Sequence, residues 1–169
     1  MSRGVDPKIP PTPIFDEKFE IKIKEKSPKA KAEELKHAIT DYIEKHEDED
    51  PELYARFSEK LEKMLQQYHE NWEQLAKELE ALRIEMRQGR EGEENYGLDR
   101  KNELPFLGLL KKEVYGIKDL AELTLEQKEN LVRVTKEILE RIKADVAMVD
   151  FWNNVPAQRR LKGFIASHL

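Results

Sequence analysis

Between residues 52 and 88 the sequence places apolar residues at steps of three and four, with no glycine or proline in between. Such spacing puts apolar side chains on one face of an α-helix. A single helix over about 52–88 would be about 55 Å long, so it would have to pack along other helices. The pattern therefore predicts an all-α helical bundle built around one long helix. Its apolar positions are 53, 57, 61, 64, 68, 72, 75, 79, 82 and 86.

Four further segments combine helical periodicity with capping residues, which brings the prediction to about five helices. Ser27 and Asn154 are placed to accept hydrogen bonds from free N–H groups at the start of two of them. Thr124 and Gln127 have the spacing of a capping box, and Gly116 supplies a left-handed stop. The four predicted helices cover about 28–46, 102–115, 125–148 and the stretch from 154 to the C terminus.

Residues 1–27 are predicted to form an extended, Pro-rich arm, because four prolines fall between positions 7 and 13. Within it, the apolar residues of 15–24 fit a short strand and a helical turn equally well, so strand, helix and coil stay open there. A single helical domain is predicted over 28–169. It contains a flexible linker near 88–101, where three of the seven glycines lie. The last helix meets no stop signal, which predicts truncation at the C terminus.

The net charge of −5 is unevenly distributed along the chain. Residues 1–31 carry +3, residues 32–99 carry −11, and residues 100–169 carry +3. Affinity for nucleic acids comes mainly from neutralising phosphates with lysine and arginine. The acidic middle therefore argues against DNA binding as the main role, and any DNA contact is expected to be secondary. The candidate residues for it are Arg159, Arg160 and Lys162 on the last helix.

Several classes of site and location are excluded by what the sequence lacks. Without cysteine it has no disulfide, zinc–thiolate site or thiol nucleophile. No apolar run is long enough to span a membrane and no signal core is present, so we expect a cytoplasmic protein without a membrane partner. Glu34 and His37 form a lone Glu-x-x-His pair, whereas a di-iron bundle needs two such pairs and two more glutamates. We predict no catalytic, cofactor or metal residue, and no enzyme activity in this chain.

Six segments, taken together and in order, give the chain a resemblance to a known family. It resembles the C-terminal helical region of the R (restriction) subunit of type I restriction–modification enzymes. The segments are IPPTPIFDEKF (9–19), KAKAEELKHAI (29–39), EDPELYARFSEKLEKML (49–65), WEQLAKEL (72–79), ELPFLGLL (103–110) and VDFWNNVPAQRRLKGFI (149–165).

The resemblance implies that the parent is a bacterial or archaeal type I site-specific deoxyribonuclease, an ATP-dependent DNA translocase. ATP and Mg²⁺ would then act in upstream domains, and no catalytic residue carries over to this chain. The implied role is docking of the motor subunit onto the modification methyltransferase core. Apolar candidates for that contact are Phe106, Leu107, Phe151 and Trp152.

Two other functions stay open at this point. The first is a stand-alone coiled-coil scaffold that self-associates through the long helix. The second is a DNA-contacting accessory that uses Arg159, Arg160 and the stretch 22–31.

Overall fold

The computed structural model describes residues 12–148 and 150–169, and within these ranges it contains seven α-helices, two short 3₁₀ helices and no strand. The predicted all-α class is confirmed, although the helices number seven rather than about five. They are α1 (Glu17–Lys24), α2 (Pro28–His46), α3 (Pro51–Gln67), α4 (Trp72–Gln88), α5 (Leu104–Tyr115), α6 (Leu125–Val146) and α7 (Val155–His168). No described helix is both long enough and apolar enough to cross a membrane.

The chain divides into two compact units. The first contains α1, α2, α4 and α3 from Leu53 onward, and the second contains Glu49–Glu52 and everything from Glu93 to the C terminus. The division after Gly92 falls inside the segment 88–101 that the sequence marks as a linker. The single domain over 28–169 stays a prediction.

The predicted long helix over about 52–88 is wrong, because the chain turns between α3 and α4. Asn71 caps α4 by accepting a hydrogen bond from the N–H of Gln74 at 3.1 Å. Lys60 of α3 forms an ion pair with Glu85 of α4. In one straight helix these two residues would be about 38 Å apart, so the pair requires α4 to fold back along α3. Tyr68 and Trp72 are four positions apart, so the helical spacing of apolar residues continues across this turn and the sequence pattern does not show it.

The conformation of residues 15–24, which the sequence leaves open, is largely helical, because α1 covers Glu17–Lys24. The predicted extended arm over residues 1–27 is therefore wrong for this part. Asp16 caps α1 by accepting from the N–H of Lys18 at 2.8 Å. Phe19 and Ile23, one turn apart, are both buried in the first unit. The four prolines at positions 7–13 lie mostly outside the described residues.

The core of the first unit forms where α2 packs against α4. Leu35 and Ile39 of α2 and Leu79 and Leu82 of α4 are almost completely excluded from solvent. Because burial of each such side chain stabilises by about 1.5–3 kcal/mol, this seam is a major source of stability for the unit.

The core of the second unit forms where α5 and α7 pack on α6. Leu107 of α5 and Leu131 and Ile138 of α6 lie at its centre. The predicted capping box is present, since Thr124 accepts from the N–H of Gln127 at 3.2 Å and Gln127 accepts from Thr124 at 3.0 Å.

The other predicted caps also occur. Ser27 accepts from the N–H of Ala30 at 3.4 Å, and Asn154 accepts from that of Ala157 at 3.0 Å. Gly116 ends α5 with φ of +64°, a left-handed conformation that glycine adopts without steric cost. Local capping chemistry therefore places most helix ends correctly.

Lys111 is buried in the second unit. Its Nζ lies 2.7 Å from Oε2 of Glu52 and donates to the carbonyl of Lys118 at 2.7 Å. A Cβ at position 108 would come within 3.1 Å of the Glu52 carboxyl carbon. Gly108 therefore gives the carboxylate room to reach Lys111, which accounts for a glycine inside the apolar α5.

Candidate functional site

The connection between α6 and α7 carries an exposed apolar surface on the second unit. Trp152 is 73% exposed, and Met148 and Val155 are each more than half exposed. We call these three residues the Trp152 surface. Exposed tryptophan is costly in water, so such a surface is typical of an interaction site.

The backbone beneath the Trp152 surface is held by hydrogen bonds. Gln158 donates through Nε2 to the carbonyl of Phe151 at 3.0 Å and to that of Trp152 at 2.9 Å. Asp150 turns the chain in the left-handed region, with φ of +63°. Phe151 is buried and contacts the Trp152 ring edge-on, at 5.2 Å between ring centres. The backbone that carries the indole is therefore held by contacts within the second unit, which would lower the entropic cost of binding a partner.

The four predicted contact residues lie in two places. Phe106 and Leu107 lie on α5, where Leu107 is buried and Phe106 is partly buried against the core. Phe151 is buried below the turn, and only Trp152 presents most of its side chain to solvent. That these residues bind a partner stays a prediction, and the structure gives Trp152 the most accessible position among them.

Cationic residues continue the Trp152 surface along α7. Arg159, Arg160 and Lys162 are all exposed. Val155, Arg159 and Lys162 follow one another at steps of four and three, which places them on the same face of the helix. Their predicted contact with DNA stays untested, and the same face would equally suit an acidic rim on a protein.

Val155 was missed by the sequence analysis, because its position beside Pro156 marks a helix start rather than a contact. Met148 is likewise not among the predicted contact residues. Periodicity separates buried from exposed positions within a helix, whereas these residues lie at helix ends, where it carries little information.

The described residues contain no group of three or more histidine and carboxylate side chains that could hold a metal ion. Glu34 of the lone Glu-x-x-His pair is engaged by Lys22 and, at 3.3 Å, by Lys26. Hydrogen bonds from these lysines lower the pKa of Glu34, although partial burial opposes them. His37 is exposed. Glu34 therefore belongs to an ion-pair network with two lysines.

A second carboxylate with an altered pKa lies in the second unit. Glu103 pairs with Lys143 and accepts from the N–H of Asp99 at 3.0 Å. These two interactions lower the pKa of Glu103 in that order. These contacts connect the start of α5 to α6, so the Glu103 carboxylate helps to hold the two helices together.

Glu34 should make stability depend on pH. Because its pKa is lowered on folding, its contribution is present above the ordinary value of 4.5 and is lost as the pH falls through the folded value. Glu34→Gln should lower Tm by about 1–3 °C at pH 7, in line with a partly exposed ion pair, and much less at pH 2.5. Circular dichroism melts at both pH values measure this.

The matched control is Glu33→Gln, which changes the neighbouring exposed carboxylate and should alter Tm little at either pH. An equal loss for Glu34→Gln at pH 7 and pH 2.5 would contradict the ion-pair explanation.

The fold and the Trp152 surface together define an all-α domain with an exposed apolar turn and no metal cluster among the residues described. The chain belongs to the family described as type I restriction enzyme HindI endonuclease subunit-like, C-terminal, which matches residues 5–169. The resemblance found in the sequence is thereby confirmed over nearly the whole chain. Searches of curated proteins and of solved structures gave no match.

Proposed function

We propose that this chain is the assembly domain of a type I restriction endonuclease subunit, docking that subunit onto the modification methyltransferase core. Membership of the family supplies the parent enzyme class. The observation that carries the docking role is the 73% exposure of Trp152 on a turn held by Gln158. Tryptophan is among the residues that contribute most to protein interfaces when a partner buries it.

The chemistry of the parent enzyme belongs to other domains in this proposal. ATP hydrolysis and Mg²⁺-dependent DNA cleavage would lie upstream, and this chain would act without catalysis or cofactor in the cytoplasm. The settings of Glu34 and Glu103 fit that division of labour, because each carboxylate is engaged by lysine in an ion pair.

Trp152→Ser should weaken binding of this chain to the methyltransferase core at least about tenfold, because loss of an interface tryptophan commonly costs more than 2 kcal/mol. Isothermal titration calorimetry with the purified core measures the Kd. The exposed indole makes few core contacts, so Tm should change little.

Leu125→Ser is the matched control for this measurement, since Leu125 is a 72% exposed apolar residue in the same unit. It should leave the Kd within about twofold of wild type. Equal Kd values for wild type and Trp152→Ser, or an equal loss for Leu125→Ser, would contradict a specific role for the Trp152 surface.

A further inference from the structure

Two adjoining grooves lie in the first unit, along α1, α2 and α4. Their volumes are about 580 and 470 Å³. Both are lined by Lys24, Lys31 and Glu80, so they form one continuous trough, which we call the basic groove. Its cationic lining residues are Lys24, Lys26, Lys31, Lys77, Arg83 and Arg87.

Three acidic side chains, Glu20, Glu73 and Glu80, also line the basic groove, and two of them are paired from within it. Arg83 lies 2.7 Å from the Glu20 carboxylate and 2.8 Å from that of Glu80. By contrast, Lys24, Lys31 and Lys77 form no ion pair with any residue that the structure describes. Glu73 is the one acidic lining residue that forms no ion pair within the described chain, so these three ammonium groups leave the groove with an excess of positive charge.

The direction of α2 adds to this positive field. Its first turn contains no acidic residue, and Pro28 and Lys31 of that turn line the groove. The N-terminal end of a helix carries partial positive charge, so it repels lysines placed near it unless an anion is close. The charge arrangement is thus suited to an anionic ligand.

The shape of the groove favours a phosphate backbone over an acidic peptide. From Asn71 to Arg87 along α4 the groove extends about 24 Å, which is long enough to contact several successive phosphates of one DNA strand. Grooves that bind amphipathic peptides offer a row of apolar pockets. In the basic groove Ile23 and Ala76 are buried, which leaves Ile84 and Pro28 as its exposed apolar residues.

We propose that the basic groove binds the phosphate backbone of duplex DNA without reading its sequence. Lysine contacts phosphate as a flexible point charge, which positions a duplex but does not distinguish bases. The net charge of residues 32–99 obscures this site, because folding brings Lys77 and Arg87 of that acidic segment beside the lysines of 24–31. The proposal is independent of the docking role.

Fluorescence anisotropy of the full chain with a labelled duplex of about 20 base pairs and arbitrary sequence tests the proposal. The variant Lys24→Gln/Lys31→Gln/Lys77→Gln should bind at least about tenfold more weakly at about 50 mM salt. Three lost phosphate contacts should also reduce the slope of log K against log salt by about 2.7.

The control variant Lys36→Gln/Lys101→Gln/Lys112→Gln removes the same charge from exposed lysines outside the groove. It should change the Kd by less than about threefold, and far-UV circular dichroism verifies that both variants fold. Absence of wild-type binding at about 50 mM salt, or equal losses in the two triple variants, would overturn the proposal.

Binding of a labelled peptide of about ten glutamates tests the alternative that the basic groove binds an acidic protein segment. Tighter binding of this peptide than of the duplex, lost in the groove variant, would assign the groove to an acidic protein segment and overturn the DNA proposal. Trp152→Ser should leave the duplex affinity unchanged, so failure of the docking role and failure of the groove proposal can be told apart.

Discussion

Arg83→Met is expected to lower the free energy of unfolding of the first unit by about 1–3 kcal/mol, because it leaves the buried carbonyl of Ile14 and the partly buried carboxylate of Glu80 without their partner. Arg83 is 3% exposed and donates to the carbonyl of Ile14 at 2.8 Å as well as to Glu20 and Glu80. Its guanidinium also lies 5.8 Å from the centre of the Phe19 ring. One side chain thus connects α1, the segment that precedes it and α4.

Urea unfolding followed by circular dichroism measures this loss. Arg87→Met is the control, since Arg87 lies one turn further along α4 and is exposed. It should change the free energy of unfolding by no more than about 0.5 kcal/mol. Arg83→Lys should recover only part of the stability, because lysine lacks the planar fork that reaches three acceptors. Equal effects at positions 83 and 87 would show that the buried network contributes little.

Leu79→Ala is expected to cost about 2–5 kcal/mol, because it opens a cavity in the seam between α2 and α4. Leu79 is fully buried and belongs to the core cluster that contains Leu35 and Ile39. The range reflects how far the surrounding side chains collapse into the space.

The control for Leu79→Ala is Ile84→Ala on the same helix, where the side chain is half exposed. It removes apolar volume without opening an internal cavity and should cost less than about 1 kcal/mol. The same urea unfolding experiment compares the two variants. A loss at Leu79 no greater than that at Ile84 would contradict the packing of α2 on α4.

Helix class and most helix ends could be predicted because their causes are local. Periodicity of apolar residues defines the buried face, and Ser27, Thr124 and Asn154 satisfy N–H groups within their own turn. The break between α3 and α4 escaped prediction because the apolar steps continue through it. Asn71 was its one local signal, and Lys60 meets Glu85 only through the tertiary fold.

The break also bears on self-association. A coiled-coil scaffold was considered because a continuous helix over about 52–88 would offer a long apolar seam. In the structure, α3 and α4 are separate helices whose buried residues Phe57, Leu61 and Leu79 lie in the first unit's own core. Self-association therefore loses the feature that suggested it.

The candidate sites were less predictable than the fold. Trp152 was named from its residue type, but its exposure depends on the turn that Gln158 holds and on Phe151 packing inward. The stretch 22–31 was a candidate DNA contact from its charge, but Lys77 and Arg87 of the acidic segment join the basic groove only because α1 and α2 lie against α4. Sequence gives the charge of each helix, whereas the field at a surface depends on which helices become neighbours.

The docking role is tested most directly by sedimentation velocity of this chain alone and mixed with the purified methyltransferase core. We expect a monomer when the chain is alone, and a faster-sedimenting complex containing both proteins when they are mixed. A tight homodimer of the chain that leaves the core sedimenting at its own rate would contradict the docking role and favour a self-associating scaffold.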